Sequence, residues 1–369
     1  MTHTKFHELS QLGQSVWLDF IDRSLIQSGD LLDYVEQGVT GVTSNPAIFA
    51  KAITEGSEYD DQMEELAQDG KSAEEIYEEL TLEDARMAAD VLRPVFDKTQ
   101  GMDGYFSLEV NPHLAHDKRG TVNEARRLFS KVARPNVMIK IPAADAGYQA
   151  IQESTDDGLN INITLIFSLG QYDRVLEAYL SGLEERVKHG YGVGHITSVA
   201  SFFVSRVDTL VDELLDKHAD PAAKSLKGKI GIANAKMAYQ RFKEVFTSER
   251  WSQLAKNGAR IQRVLYGSTG TKNPEYSDVL YVENLIGVDT INTIPPETLE
   301  AVEDHGAVTL TLEQGLEEAH AELEQLARLG IDLEEVGRTL LNKGLEKFSQ
   351  PYDKALDTIT ERSAELVSH

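Results

Sequence analysis

Residues 137–146 read "VMIKIPAADA", and this stretch decides which fold class the chain can adopt. Its first five positions are apolar apart from one lysine, Lys140, which is typical of a strand covered on both faces, as in a parallel sheet. A primary amine taken out of water is either paired with a carboxylate, extended to the surface, or used in chemistry. The other segments of the chain distinguish these three roles.

Seven further runs rich in β-branched or aromatic residues have the same character. They are VWLDFI (16–21), VTGVTSN (39–45), YFSLEV (105–110), INITLIF (161–167), ITSVASFF (196–203), IQRVLYG (261–267) and TINTIP (290–295). Amphipathic stretches of helical period separate them, for example TVNEARRLFSKVA (121–133). A strand followed by a helix, repeated eight times, predicts an α/β fold, namely a single (β/α)8 TIM barrel. An open doubly wound sheet is the competing architecture.

Three segments are too long for a single crossover helix. Residues 46–104 are acidic and helical in pattern, residues 204–259 contain two or more helical stretches, and residues 296–369 form a helical tail. We interpret the first two as helical insertions on solvated faces of the barrel. The tail is expected either to pack over the barrel mouth or to extend the surface of a homodimer. Because no internal repeat or low-complexity linker interrupts the chain, residues 1–369 are predicted to form one domain.

The composition bounds the chemistry and the partners. The chain has 369 residues, of which 41% are hydrophobic and 26% charged, as in ordinary globular enzymes. Its formal net charge of −25 disfavours nucleic acids and anionic membranes as partners. The absence of cysteine excludes disulfides, thiolate metal sites and cysteine nucleophiles. Because the chain is acidic overall, an anionic substrate would need a local cationic pocket formed by basic residues at strand ends.

The sequence also predicts where the protein works. No apolar run approaches the roughly 18 residues that a membrane span needs. The first residues, MTHTKFHELSQLGQS (1–15), lack the basic-then-apolar order of a signal peptide. We therefore expect a cytoplasmic protein.

Three weaker motifs point to no separate site. GYGVGH (190–195) precedes a predicted strand, whereas a dinucleotide fingerprint follows one. GSTGTKNP (267–274) lacks the spacing of a phosphate-binding P-loop. His113 and His116, with Asp117 beside them, are expected to be surface loop residues, so we predict no metal site.

Polar side chains recur at the C-terminal ends of the predicted strands, where the active sites of (β/α)8 barrels lie. In chain order they are Asp19; Thr43, Ser44 and Asn45; Glu109; Lys140; Asn162 and Thr164; Ser201; and Ser268. Each buried polar group costs free energy unless it is paired, so seven strands that carry such groups at one rim are hard to explain by stability alone. The rim is therefore the candidate active site.

Lys140 can serve this rim in two ways. A desolvated lysine has a lowered pKa, so its neutral amine can attack a ketone and form a Schiff base, whose protonated form allows the neighbouring C–C bond to break. Asp19 and Glu109 would then move protons, directly or through a water. Alternatively, Lys140 forms a buried ion pair with Glu109 that holds the barrel closed.

Five strand-end motifs resemble those of transaldolases, in that family's order, from about residue 12 to residue 300. They are GVTSNPAIF (41–49), SLEVNP (107–112), VMIKIPA (137–143), NITLIFS (162–168) and SFFVSRVD (201–208). The likeness is to the longer bacterial members. It implies a (β/α)8 barrel without cofactor that moves a dihydroxyacetone unit from sedoheptulose 7-phosphate to glyceraldehyde 3-phosphate. Erythrose 4-phosphate and fructose 6-phosphate would be the products, in the non-oxidative pentose phosphate pathway.

The resemblance assigns catalytic roles motif by motif. Lys140 resembles the Schiff-base lysine of the fourth strand, and Asp19 resembles the first-strand acid/base that takes the proton of the C4 hydroxyl. Glu109 and Thr164 resemble the pair that holds a catalytic water.

The resemblance also implies the substrate contacts. Asn45 and Asn162 match the asparagines that hold the dihydroxyacetone hydroxyls, Ser201 matches a substrate-contacting serine, and Phe203 falls where the family has an aromatic residue beside the Schiff base. Thr43 and Ser44, next to Asn45, are also predicted to bind the substrate. Arg206 resembles the family's phosphate arginine. In YGSTGTKNP (266–274), one residue longer than the family's segment, Lys272 stands in for a second arginine, and Ser268 is the neutral donor. An amine lacks the bidentate fork of a guanidinium, so the grip on phosphate is expected to differ.

Three other functions remain open at the level of sequence. An aldolase of the fructose 6-phosphate or deoxyribose-phosphate type would use the same lysine without an acceptor sugar. A glycosidase would use Asp19 and Glu109 as its two carboxylates and leave Lys140 structural. A barrel that only binds sugar phosphates would need no intact catalytic set.

Overall fold

The computed structural model describes residues 3–367, and within them eight parallel strands close into a barrel in chain order. The strands are β1 (Gln14–Leu18), β2 (Val39–Thr43), β3 (Tyr105–Glu109), β4 (Val137–Pro142), β5 (Ile161–Ile166), β6 (Ser198–Phe203), β7 (Gln262–Gly267) and β8 (Thr290–Ile294). β8 pairs with β1, so the sheet has no edge. The predicted barrel is confirmed, and the open doubly wound sheet is excluded.

Helices connect the strands and form the outer layer. They are α1 (Lys5–Gln11), α2 (Arg23–Gln27), α3 (Asp30–Glu36), α4 (Pro46–Glu55), α5 (Asp60–Gln68), α6 (Ala73–Lys98), α7 (Lys118–Val132), α8 (Asp145–Asp156), α9 (Leu169–Lys188), α10 (Ser205–Asp216), α11 (Ile230–Phe246), α12 (Glu249–Lys256), α13 (Leu280–Asn284), α14 (Pro296–His305), α15 (Leu316–Arg328) and α16 (Leu333–Val367). Short 3-10 turns lie at Pro112–Leu114 and Pro221–Leu226.

The barrel interior is filled by one apolar layer. Its members are Trp17, Tyr105, Met138, Val199, Leu265 and Ile291, all fully buried. Side chains in a strand alternate between the two faces, so the residue two positions further along each strand also faces inward. Asp19 follows Trp17 in this way, and Lys140 follows Met138. The apolar layer therefore supports the polar side chains at the C-terminal rim from below.

Gly41 allows this layer to close around the largest side chain. A Cβ at Gly41 would lie 2.4 Å from the indole of Trp17, which is closer than any two such atoms approach in folded proteins. The glycine in the middle of β2 therefore leaves the space that the Trp17 ring occupies inside the barrel.

Seven of the eight strands differ from the predicted runs by one to three residues at an end, and side-chain hydrogen bonds explain two of these differences. β1 begins two residues earlier than predicted, because the buried Gln14 amide donates to the carbonyl of Leu285 at 2.7 Å and to Thr290 Oγ1 at 2.9 Å. β2 ends before Asn45, because the side chain of Asn45 caps α4 by accepting from the amides of Ala47 and Ile48. In both cases side-chain hydrogen bonds set the boundary, to distant residues for Gln14 and to the next turn for Asn45, and hydropathy alone does not show them.

The insertion at residues 46–104 is more than a solvated decoration. Its longest helix, α6, buries ten residues, among them Leu80, Ala85 and Leu92, and packs against β2 and β3. It thus serves as a crossover helix of the barrel, while α4 and α5 carry the additional length. The interpretation of this segment as surface decoration was wrong for α6.

The tail crosses the barrel mouth. Its last helix, α16, contacts α4, α5, α6 and the end of β5, and buries Phe348 and Tyr352. Of the two arrangements expected for the tail, the structure shows the first within the described residues; residues 368–369 lie outside them. None of the helices between residues 3 and 367 combines the length and the hydropathy required to cross a bilayer.

Candidate active site

Lys140 reaches neither solvent nor a close carboxylate partner. It is 4% exposed, and its Nζ donates to the backbone carbonyl of Ser44 at 2.9 Å. Nζ lies 3.6 Å from Glu109 Oε2, beyond normal hydrogen-bond length. The neighbouring strands fix this arrangement, because Glu109 and Lys140 are paired in register at the ends of β3 and β4. A buried amine is thus held beside a carboxyl group without being tightly bonded to it.

Glu109 is a poised carboxyl group. Burial raises its pKa to about 7, whereas Lys140 and Arg206 oppose this rise. Its Oε2 is buried and makes no hydrogen bond within the described residues, and the same holds for Thr164 Oγ1. A carboxyl group that titrates near neutrality can both give and accept a proton during a reaction.

We expect the stability difference between the wild type and Glu109→Gln to depend on pH. The ordinary pKa near 4.5 applies in the unfolded chain, and burial raises the pKa to about 7 in the folded protein. Between these values the folded state retains a proton that the unfolded state releases. Wild-type stability should therefore fall relative to the variant as pH rises through this window, by about 1 kcal/mol or more. Urea unfolding of both proteins at the two ends of the window measures the difference.

A dominant structural ion pair predicts the opposite sign. Lys140 would then hold the pKa of Glu109 below its ordinary value, and the wild-type advantage would be present at neutral pH and lost on acidification. That result would contradict a raised pKa of Glu109 in the folded protein.

Asp19 lies just beyond β1 and is half-buried. Its Oδ1 accepts a hydrogen bond from Thr43 Oγ1 at 2.8 Å, and the same hydroxyl lies 2.6 Å from Thr293 Oγ1. This chain of hydroxyls fixes the orientation of the carboxylate toward the barrel centre. Asp19 is therefore a second, separately oriented carboxylate at the rim that holds Lys140.

Asn162 is held between two serines. Its Oδ1 accepts from Ser201 Oγ at 2.6 Å, and its Nδ2 donates to Ser107 Oγ at 3.0 Å. Because Asn162 pairs in register with Lys140, its amide lies in the strand next to the amine. The sequence identified Asn162 and Ser201, whereas Ser107 was missed.

The far side of the site is cationic. Arg206, in the first turn of α10, stacks over the ring of Phe203 with its guanidinium carbon 5.1 Å from the ring centre. Burial lowers the pKa of Arg206, and the carboxylates of Asp19 and Glu109 oppose this. Ser268, in the loop after β7, lies 3.0 Å from Ser205 through the two hydroxyl oxygens, and Lys272 follows in the same loop. Arg206 and Lys272 are therefore the local cations that an acidic chain needs in order to bind an anionic substrate.

A cavity of about 390 Å³ joins most of the predicted residues. It is lined by Asp19, Thr43, Asn45, Lys140, Ser201, Phe203, Arg206, Ser268 and Lys272 among others. Four predicted residues do not line it: Ser44, Glu109, Asn162 and Thr164. Of these, Ser44 donates its hydroxyl to the carbonyl of Ser107 at 2.7 Å, so it offers the site its own carbonyl instead. Glu109 lines a neighbouring cavity of similar volume.

Nine further residues line the cavity and were not identified from the sequence, and Thr293 and Phe348 show two different reasons for this. Thr293 interrupts the apolar pattern of β8 in the same way as the other strand-end residues, so the same rule applied to β8 would have found it. Phe348 belongs to α16, and no local pattern shows that this helix reaches the rim. The first omission was avoidable and the second depends on tertiary packing.

Of the weaker motifs, one forms a loop beside this cavity and the others do not line it. Residues 190–195 precede β6, and residues 267–274 form the loop that carries Lys272. His113 is exposed and its Nε2 lies 2.6 Å from Asp353, while Asp117 caps α7. Among residues 3–367, no three His, Asp or Glu side chains are grouped so that they could hold a metal ion.

A closed parallel barrel has the layout of an aldolase of the Schiff-base class when a buried lysine shares its cavity with a carboxylate and with cations, as Lys140 does here, and lies beside a second carboxyl group, that of Glu109. The model of the family described as Transaldolase/Fructose-6-phosphate aldolase matches residues 16–359. The chain belongs to this family, and the resemblance inferred from its motifs is confirmed.

Similar curated proteins agree with the family model. The Transaldolase of Thermobifida fusca is 48% identical over 359 residues, covering 97% of this chain and 98% of that protein. The Transaldolase 2 of Nostoc punctiforme is 44% identical, with 96% of both chains covered. The Transaldolase of Mycolicibacterium smegmatis is 45% identical, with 95% of both chains covered. The likeness thus includes the tail as well as the barrel.

Proposed function

We propose that this enzyme is a transaldolase that transfers a dihydroxyacetone unit from sedoheptulose 7-phosphate to glyceraldehyde 3-phosphate through a Schiff base on Lys140. The products are erythrose 4-phosphate and fructose 6-phosphate. The observation that carries the proposal is the buried Lys140 amine, which faces the same cavity as Asp19 and a cluster of cations.

The first step is formation of the imine. The neutral amine of Lys140 attacks C2 of the ketose, and the carbinolamine loses its hydroxyl as water, for which a proton must be supplied. Glu109 is suited to supply it, because its carboxyl oxygen lies 3.6 Å from Nζ and its pKa is raised to about 7. Its unbonded Oε2 and the unbonded hydroxyl of Thr164 together can hold the water that leaves and later returns.

The second step breaks the C3–C4 bond. Asp19 takes the proton of the C4 hydroxyl, C4 becomes the aldehyde carbon of the released aldose, and the bonding electron pair moves into the protonated imine to give an enamine. The hydrogen bond from Thr43 fixes the Asp19 carboxylate for this transfer. The imine is the electron sink, so the proposal needs no cofactor.

The third step reverses this chemistry on a different aldose. The enamine attacks the aldehyde carbon of glyceraldehyde 3-phosphate, Asp19 returns its proton to the new hydroxyl, and water hydrolyses the imine to release fructose 6-phosphate. The amide of Asn162 lies in the strand beside Lys140, and Asn45 and Ser201 line the cavity. We assign to these three residues the hydroxyls of the dihydroxyacetone unit.

Arg206 and Lys272 are proposed to hold the substrate phosphate, with Ser268 as a neutral donor. Arg206→Ala should raise KM for fructose 6-phosphate on the order of 10²-fold, because a guanidinium donates two parallel charge-assisted hydrogen bonds. Lys272→Ala should raise it less, roughly fivefold to tenfold, with a loss that shrinks as salt screens the point charge. Steady-state kinetics with fructose 6-phosphate and with fructose, at low and high salt, measure both effects. Equal losses on both sugars in Arg206→Ala would instead make that residue structural.

Transfer and simple aldol cleavage are separated by one assay. The full-length enzyme is incubated with sedoheptulose 7-phosphate alone and then with glyceraldehyde 3-phosphate added. Without the acceptor, we expect at most one erythrose 4-phosphate to be released per enzyme molecule. With glyceraldehyde 3-phosphate present, we expect many turnovers. Free dihydroxyacetone released at a similar rate without acceptor would identify a fructose 6-phosphate-type aldolase. The glycosidase alternative has no support in the family to which the chain belongs.

The setting of the reaction is also a proposal. We place the enzyme in the cytoplasm, with small sugar phosphates as its ligands and neither nucleic acid nor membrane as a partner, in keeping with its net charge of −25. The homodimer and the single domain stay predictions, which sedimentation and limited proteolysis can test.

A further inference from the structure

α16 is fixed across the barrel mouth at both sides. Near its start, Glu334 accepts hydrogen bonds from Ser168 Oγ at 2.7 Å and from the amide of Gly170 at 2.9 Å, where β5 leads into α9. Three turns later Gly344 packs so closely on Leu165 that a Cβ would lie 2.9 Å from that side chain. At the opposite side Tyr352 accepts from Asn111 Nδ2 at 3.2 Å. The helix segment between these anchors therefore has a defined position over the site.

Lys347 and Phe348 lie in that segment. Phe348 is 3% exposed and lines the active-site cavity together with Arg206 and Lys272. The same three residues also line an outer cavity of about 790 Å³, and Lys347 contributes to its wall. Lys347 is thus on the solvent side of the two cations that the proposed function assigns to phosphate.

None of the three cations is held in a close ion pair, although Asp19 and Glu109 act on Arg206 from a greater distance. Within the described residues, neither Arg206, Lys272 nor Lys347 forms a salt bridge within 4.0 Å or a side-chain hydrogen bond. Lys347 experiences repulsion, because its pKa is lowered by burial and then by Arg206, Lys272 and Lys343. Like charges that lie together without a close ion pair favour binding of an anion with two negative charges.

We propose that Lys347, supplied by the C-terminal helix, is a third cation of the phosphate site and contacts the substrate phosphate from the side opposite to Arg206. This inference rests on the proposed function. Lys272 lacks the bidentate fork of an arginine, and a third cation would compensate for the weaker hold on the phosphate. Lys347 also gives the tail a role in substrate selection, because the residue that completes the site is carried by α16.

The matched test compares Lys347→Gln with Lys354→Gln. Lys354 lies on the same helix, seven residues or about 10 Å further along its axis, is exposed and lines neither cavity. We expect Lys347→Gln to raise KM for fructose 6-phosphate by about threefold to tenfold at low salt, with a smaller effect at high salt and no effect on fructose. Lys354→Gln should have the wild-type KM for both sugars. Lys347→Arg, which keeps the positive charge, should have a KM for fructose 6-phosphate close to that of the wild type. Equal kinetics of the two glutamine variants would overturn the proposal.

A second measurement does not depend on turnover. Titration calorimetry of the full-length protein with inorganic phosphate at low salt should give a weaker Kd for Lys347→Gln than for the wild type or Lys354→Gln. If the wild type shows no transfer activity but Lys347→Gln still weakens phosphate binding, the proposed function fails and the third cation stands. If phosphate binds with the same Kd to all three proteins, the third cation is wrong whatever the reaction.

Discussion

Lys140→Met is expected to lower the rate of sugar-phosphate transfer by on the order of 10⁴-fold or more while the chain still folds. The Nζ atom is the one that bonds to C2 of the ketose, and a thioether cannot replace it. Methionine is unbranched and flexible, so it can occupy the space of the lysine side chain. Glu109 loses its cationic neighbour, but its raised pKa lets it take up a proton. Steady-state transfer rates and thermal unfolding measure the two quantities.

Lys140→Arg is the control for charge. It keeps a cation beside Glu109, but a guanidinium does not form a Schiff base with a ketone. We expect it to be as inactive as Lys140→Met. Recovery of transfer in Lys140→Arg would mean that Lys140 acts only by its charge, and the covalent mechanism would be wrong.

Asp19→Ala is expected to form the Schiff base but to cleave the C3–C4 bond on the order of 10²-fold to 10⁴-fold more slowly. The covalent adduct with fructose 6-phosphate should therefore accumulate, because the imine forms without Asp19 and the next step lacks its base. Asp19→Asn is the milder form, since its amide oxygen can still accept the hydrogen bond from Thr43. Intact-mass spectrometry after rapid mixing follows the adduct, and aldehyde release follows the cleavage.

Glu109→Ala should have the complementary defect. Without a carboxyl group 3.6 Å from Nζ, both formation and hydrolysis of the imine should slow, and little adduct should accumulate. If Asp19→Ala and Glu109→Ala trap the adduct with equal kinetics, the two carboxylates do not divide the work as proposed.

The strands were predictable wherever burial alone determines them. β4 occupies residues 137–142, as its apolar run indicates, because both of its faces are covered and every position is buried. The boundaries of β1 could not be predicted in the same way, since Gln14 enters the strand only through hydrogen bonds to Leu285 and Thr290, which are distant in sequence. A polar residue whose hydrogen-bond partners are distant in sequence resembles a loop residue when only its neighbours in sequence are considered.

The candidate site followed from a single geometric fact. In a barrel the inward-facing residue at each strand end points to a common centre, so Asp19, Lys140 and Ser201 could be grouped before any distance was known. All three line one cavity. Ser107 was missed because it precedes the strand end by two residues, and its role depends on the hydrogen bond from Asn162.

The position of the tail could not be predicted. The sequence of α16 shows a helix with buried and exposed residues, but not the surface on which the buried residues pack. Leu165, which has a φ of +60°, faces Gly344, and this close contact brings Phe348 and Lys347 to the barrel mouth. Contacts between segments far apart in sequence thus decide which residues of the tail belong to the site.

The most direct test of the account is reduction of the full-length enzyme with borohydride in the presence of fructose 6-phosphate, followed by mass spectrometry of its peptides. The account predicts a stable secondary amine on the peptide that contains Lys140, and no such adduct without the sugar or in Lys140→Arg. An adduct on another lysine would contradict it, as would the absence of any adduct in an enzyme that transfers sugar units at its full rate.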